Sequence, residues 1–190
     1  IYTSSKQNEL CEMQIEDAEY ILQNYLTMCE MLDVLPYIFV TGGDPLLYDD
    51  IWCFLEMLHK HKIPFSILGN PYHLSDTVCK KLKKLGCQKY QMSLDGLRET
   101  HDKIRKSGSY DCTLEKFQLL KKYGIKTSIM STVSRKNVAE IPKLIEVAVE
   151  NKIDSFAFAR YCPTDLSDNE MVDPESYRVL LEKCWTLFQK

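Results

Sequence analysis

Two glycines, an acid and a proline (Gly42, Gly43, Asp44 and Pro45) end the apolar, β-prone segment of "YIFVTGGDPLLYDD". Glycine has no Cβ, so the pair lets a ligand approach the main chain, and Asp44 offers a carboxylate to an ammonium group. The same residues also suit a tight strand-to-helix turn with Asp44 near the helix N-terminus, and the motif alone does not separate the two. In "SLDG", Ser93 and Asp95 alternate about Leu94, so a strand carries both to one side. Arg105, in "HDKIR", brings a planar guanidinium that matches a carboxylate, although alone it also reads as a surface arginine. Two more polar stretches follow: Ser131, Thr132 and Asn137, then Arg160, Cys162 and Pro163.

The thiols and imidazoles give no metal pattern. Eight cysteines contain no C-x-x-C pair and no zinc-finger spacing, so most are expected to be buried small hydrophobes or free thiols; Cys162, at a strand exit, is read as buried, with a place facing substrate as the alternative. His59 and His61 form an H-x-H near the end of a predicted helix, with no further ligands at a suitable spacing, and read as surface residues.

These groups need elements to hold them, and the chain supplies a regular series. With 190 residues, 45% of them hydrophobic, it can bury one full core. Helical spacing over Ile15 to Asp33 is followed by strand Tyr37 to Val40, helix Ile51 to His61, strand Phe65 to Leu68 and helix Asp76 to Leu85. Strand Lys89 to Leu94, helix Thr113 to Tyr123, strand Lys126 to Val133, helix Ala139 to Asn151 and strand Ser155 to Tyr161 come next. A helix from Pro174 to Lys190, capped by Asp173, completes the series. Five βα units predict a parallel sheet, open or barrel-like. The strands exit into "TGGDP", "LGN", "SLDG", "STVSRKN" and "ARYCP", all loaded with polar, charged or glycine residues. Functional groups gather at carboxyl ends of parallel strands, and a series of loaded exits favours strands curved around one cavity: an α/β partial barrel.

Composition excludes several partners. Net charge is −3, and the basic residues are scattered or confined to helical faces such as Lys80 to Lys84, so no nucleic-acid stripe exists. No apolar run approaches the roughly 20 residues that span a bilayer, and no signal-peptide pattern opens the chain. A cytoplasmic location is expected.

GGDP after one strand, SLDG two strands later, then "HDKIRKSGSYDCT" and finally "FARYCPT" together resemble the radical S-adenosylmethionine (radical SAM) superfamily, most of all its peptide- and protein-modifying branch with SPASM or twitch extensions. The resemblance implies a partial (β/α)6 TIM-like barrel and two cofactors, S-adenosylmethionine and a 4Fe-4S cluster that together yield a 5′-deoxyadenosyl radical for hydrogen abstraction. It places Gly42, Gly43, Asp44 and Pro45 at the family's GGE motif, which receives the amino group of the methionine moiety. Ser93 and Asp95 then reach the ribose or methionine portion, Arg105 pairs with the ligand carboxylate, and Arg160 stands on the adenine side. His101 and Asp102 are expected to organise the loop before Arg105. A peptide or protein substrate and an external electron donor such as flavodoxin or ferredoxin are the implied partners.

Two departures accompany the match: no C-x-x-x-C-x-x-C occurs in the sequence, and Asp44 stands where the family more often has Glu. The cluster cysteines are expected upstream of Ile1, residues 1–190 being a core domain that lacks its N-terminal strand and cluster loop as well as the SPASM or twitch extension. The alternatives are a radical SAM enzyme acting on a small molecule and a barrel paralogue that binds a peptide without a cluster. A barrel lyase with a Schiff-base lysine has little support, since no lysine stands at a clear strand exit.

Overall fold

The computed structural model describes residues 13–163, 165 and 169–189. Helices and strands alternate in the order α1 (Ile15–Leu32), β1 (Ile38–Val40), a 3-10 turn (Pro45–Leu47), α2 (Ile51–Lys60), β2 (Phe65–Leu68), α3 (Asp76–Leu85) and β3 (Cys87–Ser93). They continue through α4 (Arg98–Ile104), α5 (Ser109–Lys122), β4 (Lys126–Val133), α6 (Ile141–Glu150), β5 (Ser155–Arg160) and α7 (Pro174–Phe188). Local chemistry accounts for many boundaries. Ser75 accepts from the Val78 N–H to open α3, Gly86 closes it with a left-handed cap, and Asp173 accepts from Ser176 N–H ahead of Pro174 to open α7.

The five strands are all parallel and lie in chain order, β1-β2-β3-β4-β5. This order decides between the two parallel architectures. Right-handed crossovers that always advance in one direction put every helix on the same side of the sheet, whereas a doubly wound sheet must reverse. The sheet is therefore wound once, as a partial barrel wall, with its other face free of helices among the described residues.

Strand register sorts the side chains accordingly. Ile67 pairs with Tyr90, Met92 with Ile129, Ile129 with Phe156 and Val133 with Arg160, and neighbours in register share a face. That face, with Val40 and Phe65, packs on Leu55, Leu58, Leu82, Phe117, Leu120 and Leu144 of the helices to form the core. The opposite, concave face carries polar or small side chains at Ser66, Gln91, Ser93, Ser128, Thr132, Ala157 and Ala159, together with the larger apolar Phe39, Leu68 and Met130. Two interior contacts tie its strands, Tyr37 Oη with Ser66 Oγ at 2.6 Å and Ser128 Oγ with Ser155 Oγ at 2.8 Å.

Two local expectations change. The "HDKIR" segment is a helix, α4, not a loop, and α5 begins at Ser109 rather than Thr113. Only His101 of α4 is buried, so no apolar stripe announced the helix. Asp102 does organise the link to α5. Its carboxylate accepts from the N–H groups of Gly108 (2.7 Å) and Tyr110 (2.9 Å), bonds that hold its pKa below the usual value.

Candidate active site

A cavity of about 1320 Å³ opens where the strand exits converge. Ser93 and Asp95 line it from β3, Arg105 from the end of α4, Thr132 from β4 and Cys162 from β5. Ser93 and Asp95 thus share one side, as their alternation predicts.

Asp95 is the hub of this exit. It is almost completely buried, and its Oδ2 accepts from Arg105 Nε at 2.6 Å while its Oδ1 accepts from the Thr132 N–H at 2.7 Å. Its main chain is equally engaged. The Asp95 N–H donates to His101 Nδ1 at 3.0 Å, and its carbonyl accepts from Asn137 Nδ2 at 2.7 Å. Asn137 Nδ2 also donates to the Thr132 carbonyl at 2.8 Å, so one amide staples the exits of β3 and β4 together. The Nη groups of Arg105, itself a lining residue, have no partner among the described residues.

His101 is fully buried and lines the same cavity. Because Nδ1 accepts a proton donor, the hydrogen sits on Nε2, which has no partner. Burial pushes its pKa below the usual 6.5, against the opposing pull of Asp95, and keeps the ring neutral at pH 7.

Glu140, at the N-cap of α6, is a further brace that sequence inspection did not single out. Its Oε2 accepts from the Leu97 N–H and its Oε1 from Thr100 Oγ, both at 2.7 Å, tying the start of α4 to the exit of β4. The two ends of this brace are some 40 residues apart, and no local pattern signals it.

The exit of β1 is built differently. Asp44 accepts from the Leu46 N–H at 3.3 Å, capping the 3-10 turn that starts at Pro45, and its other oxygen meets His73 Nδ1 at 2.8 Å. A Cβ added at Gly42 or Gly43 would meet nothing within 4 Å, so the space over this turn is open. Gly69, at the exit of β2, is the reverse case: a Cβ there would stand 2.4 Å from the buried Tyr90 Oη and 3.3 Å from Asp44 Oδ1. None of Gly42, Gly43, Asp44 or Pro45 lines the cavity.

Three further sequence candidates are placed by alternation. Arg160 falls on the helix-facing side, its guanidinium 5.8 Å from the Tyr177 ring centroid of α7, and Tyr161 and Cys162 line the cavity instead. Ser131 likewise points away from the cavity, buried with its hydroxyl unpartnered, while Thr132 points in. Cys162 corrects an expectation. It is exposed at the cavity rather than buried, two residues past the end of β5. The buried thiols are Cys29, Cys79, Cys87 and Cys184, and burial pushes that of Cys87 up to about 12. Cys11 lies outside the described residues.

Arg105 and Ser93 bring to the cavity a guanidinium and a hydroxyl that suit the carboxylate and ribose of S-adenosylmethionine, whereas the bare main chain of Gly42 and Gly43 lies outside its lining. An iron–sulfur cluster would need thiolates from elsewhere. Among the described residues no group of three His, Cys, Asp or Glu side chains could hold a metal, and none of their helices is long and apolar enough to cross a membrane.

Comparison with known proteins agrees with this arrangement. A family model described as Radical SAM superfamily matches residues 8–148. The chain is 30% identical over 157 residues to Fe-coproporphyrin III synthase of Methanosarcina barkeri, covering 78% of this chain and 39% of that protein. It is 36% identical over 109 residues to GTP 3′,8-cyclase of Aliarcobacter butzleri, covering 54% and 33%. The fold matches that of Streptococcus suis SuiB bound to precursor peptide SuiA, with a TM-score of 0.75 and 21% identity over 97% of this chain and 41% of that one. The chain thus spans a third to two-fifths of these proteins' length. With the family model matching most of its residues and a once-wound parallel sheet gathering its polar exits, the chain belongs to the Radical SAM superfamily.

Proposed function

We propose that residues 1–190 are the core domain of an enzyme that cleaves S-adenosylmethionine reductively and abstracts a hydrogen atom from a peptide or protein substrate. The observation that carries this reading is the cavity shared by Ser93, Asp95, Arg105 and Thr132 at the exits of β3 and β4. When bound, S-adenosylmethionine with its 4Fe-4S cluster supplies the radical, and a flavodoxin or ferredoxin supplies the electron. The chain's own groups bind and orient. Arg105, fixed at Nε by Asp95, keeps its Nη groups for the ligand carboxylate, and Ser93 offers a hydroxyl to the ribose. Gly42 and Gly43 leave the main chain bare for the amino group, and Asp44 lies beside them with its carboxylate on His73. The substrate is placed in the same cavity, beside this ligand and over the concave face of the sheet.

Fold likeness to SuiB in complex with its precursor peptide supports a peptide substrate. A second reading, a small-molecule substrate, is favoured by the names of the sequence relatives, one an Fe-coproporphyrin III synthase and others GTP 3′,8-cyclases. The test is to reconstitute the full-length protein anaerobically with iron and sulfide, reduce it with dithionite and measure 5′-deoxyadenosine by mass spectrometry. Its formation is expected in the wild type and should fall at least about tenfold in Arg105→Met, the scale of a lost charge-assisted pair. Binding of S-adenosylmethionine without any cleavage would favour the cluster-free paralogue instead.

A further inference from the structure

The cavity is larger than one small ligand requires. At about 1320 Å³ it exceeds the roughly 300–1,000 Å³ of ordinary single-ligand pockets and is open to solvent, so one small ligand does not fill it.

Its charges are not balanced. Both acids among the lining residues are already ion-paired, Asp95 with Arg105 at 2.6 Å and Glu170 with Lys136 at 2.9 Å. Lys103 and Lys106 line the cavity as well. Lys103 has no hydrogen bond or ion pair among the described residues, and Lys106 Nζ sits 5.4 Å from the centroid of Tyr72, whose ring lines the opposite, β2 side. The buried His101 adds an unpartnered Nε2–H nearby in the same lining. Among the described residues, what the lining leaves unsatisfied is therefore mainly donors and positive charge. A net charge of −3 for the whole chain means that this local sign is no by-product of general basicity. Both lysines are exposed and border the cavity.

We infer that Lys103 and Lys106, beside Tyr72, bind an anionic group of the substrate, a carboxylate or a phosphate. The inference rests on the proposed function for the identity of the first ligand and adds a chemical class for the second. Arg105 and Lys103 point their charges at different partners: the former serves the carboxylate of S-adenosylmethionine, the latter the substrate. Placement on the short α4–α5 corner lets the anion be held without disturbing the Asp95 network behind it.

The test is calorimetric titration of the full-length protein, with and without S-adenosylmethionine, using three probes: inorganic tripolyphosphate, tricarballylate and a hexaglutamate peptide. At least one probe should bind the wild type, bind about tenfold more weakly to Lys103→Gln/Lys106→Gln, and bind nearly normally to Lys103→Arg/Lys106→Arg. S-adenosylmethionine affinity should change by about threefold at most in the glutamine variant, the scale of exposed charges beside the Arg105 site, and by less than about twofold in the arginine variant. A phosphate-only response assigns a phosphorylated small molecule, tricarballylate a small polycarboxylate, and hexaglutamate alone an acidic peptide. The inference is overturned when no probe binds, or when the glutamine variant binds as the wild type does. Lysine-dependent probe binding by a protein that fails to bind S-adenosylmethionine would keep the anion site and sink the proposed function.

Discussion

The exits of β1 and β3 carry motifs of equal length, GGDP and SLDG, each with one carboxylate, and the two carboxylates are used differently. Asp95 has both oxygens and both main-chain groups committed inside the molecule, to Arg105, Thr132, His101 and Asn137. Asp44 caps a single turn and meets one half-exposed histidine, beneath two glycines over which space is open. An acid at a strand exit is thus not automatically a ligand acid. The β3 exit is a finished internal network that presents its neighbour, Arg105, whereas the β1 exit is an open turn with room for something to be added.

The largest expected effect attacks the finished network. Asp95→Ala strips the acceptor from Arg105 and the Thr132 N–H at once, and should cost about 3 kcal/mol in urea unfolding, the scale of breaking a buried ion pair. The double variant with Arg105→Met should recover part of that loss. A cost below about 1 kcal/mol would place Asp95 in the same class as an exposed pair and erase the contrast. Next comes Gly69→Ala, which drives a methyl into Tyr90 and toward Asp44 and should cost about 1–3 kcal/mol through overpacking.

Gly43→Ala probes the open exit and sharpens the comparison from the other side. Its methyl meets nothing, so stability should stay within about 0.5 kcal/mol. On the proposed function, equilibrium dialysis should show S-adenosylmethionine affinity falling about tenfold, since the methyl occupies the ligand's approach. Unchanged affinity would remove this turn from the site.

The smallest effect is a pH dependence. Burial lowers the pKa of His101, so below about pH 6.5 the unfolded chain takes up a proton that the native ring refuses. Stability should therefore fall as pH drops from about 6.5 through the folded pKa, and His101→Asn, whose amide oxygen can still accept from the Asp95 N–H, should flatten that slope in unfolding midpoints measured from pH 7 to pH 5. An equally steep slope in the variant would show that the histidine is not the titrating group.

Much of this frame was legible in the chain. Strand and helix alternation gave the five units, and the loaded exits pointed to a shared cavity, because short periodicities record burial directly. Alternation also carried more than was drawn from it. Arg160 stands two residues from Phe158 and four from Phe156, so its place on the helix-facing side follows from the same period that joined Ser93 to Asp95. Helix α4 escaped because a helix that buries only one side chain has no stripe to read. The braces of Asn137, Glu140 and His73 escaped for a different reason: each joins residues 29 to 43 positions apart, and sequence spacing does not encode which exits become neighbours. Cys162 was misplaced because apolar character was read as burial, although burial needs something to cover the residue.

The laying of strands in chain order has a consequence for how such a site can change. Each βα unit supplies one stave of the wall and one loop at the rim, and each stave touches only the staves before and after it. A lengthened loop or exchanged exit on one unit alters one sector of the rim while the others keep their shape, provided that the stitch between β3 and β4 is kept. Substrate preference can then be revised sector by sector, with the Asp95 seam as the part that successive versions must inherit unchanged.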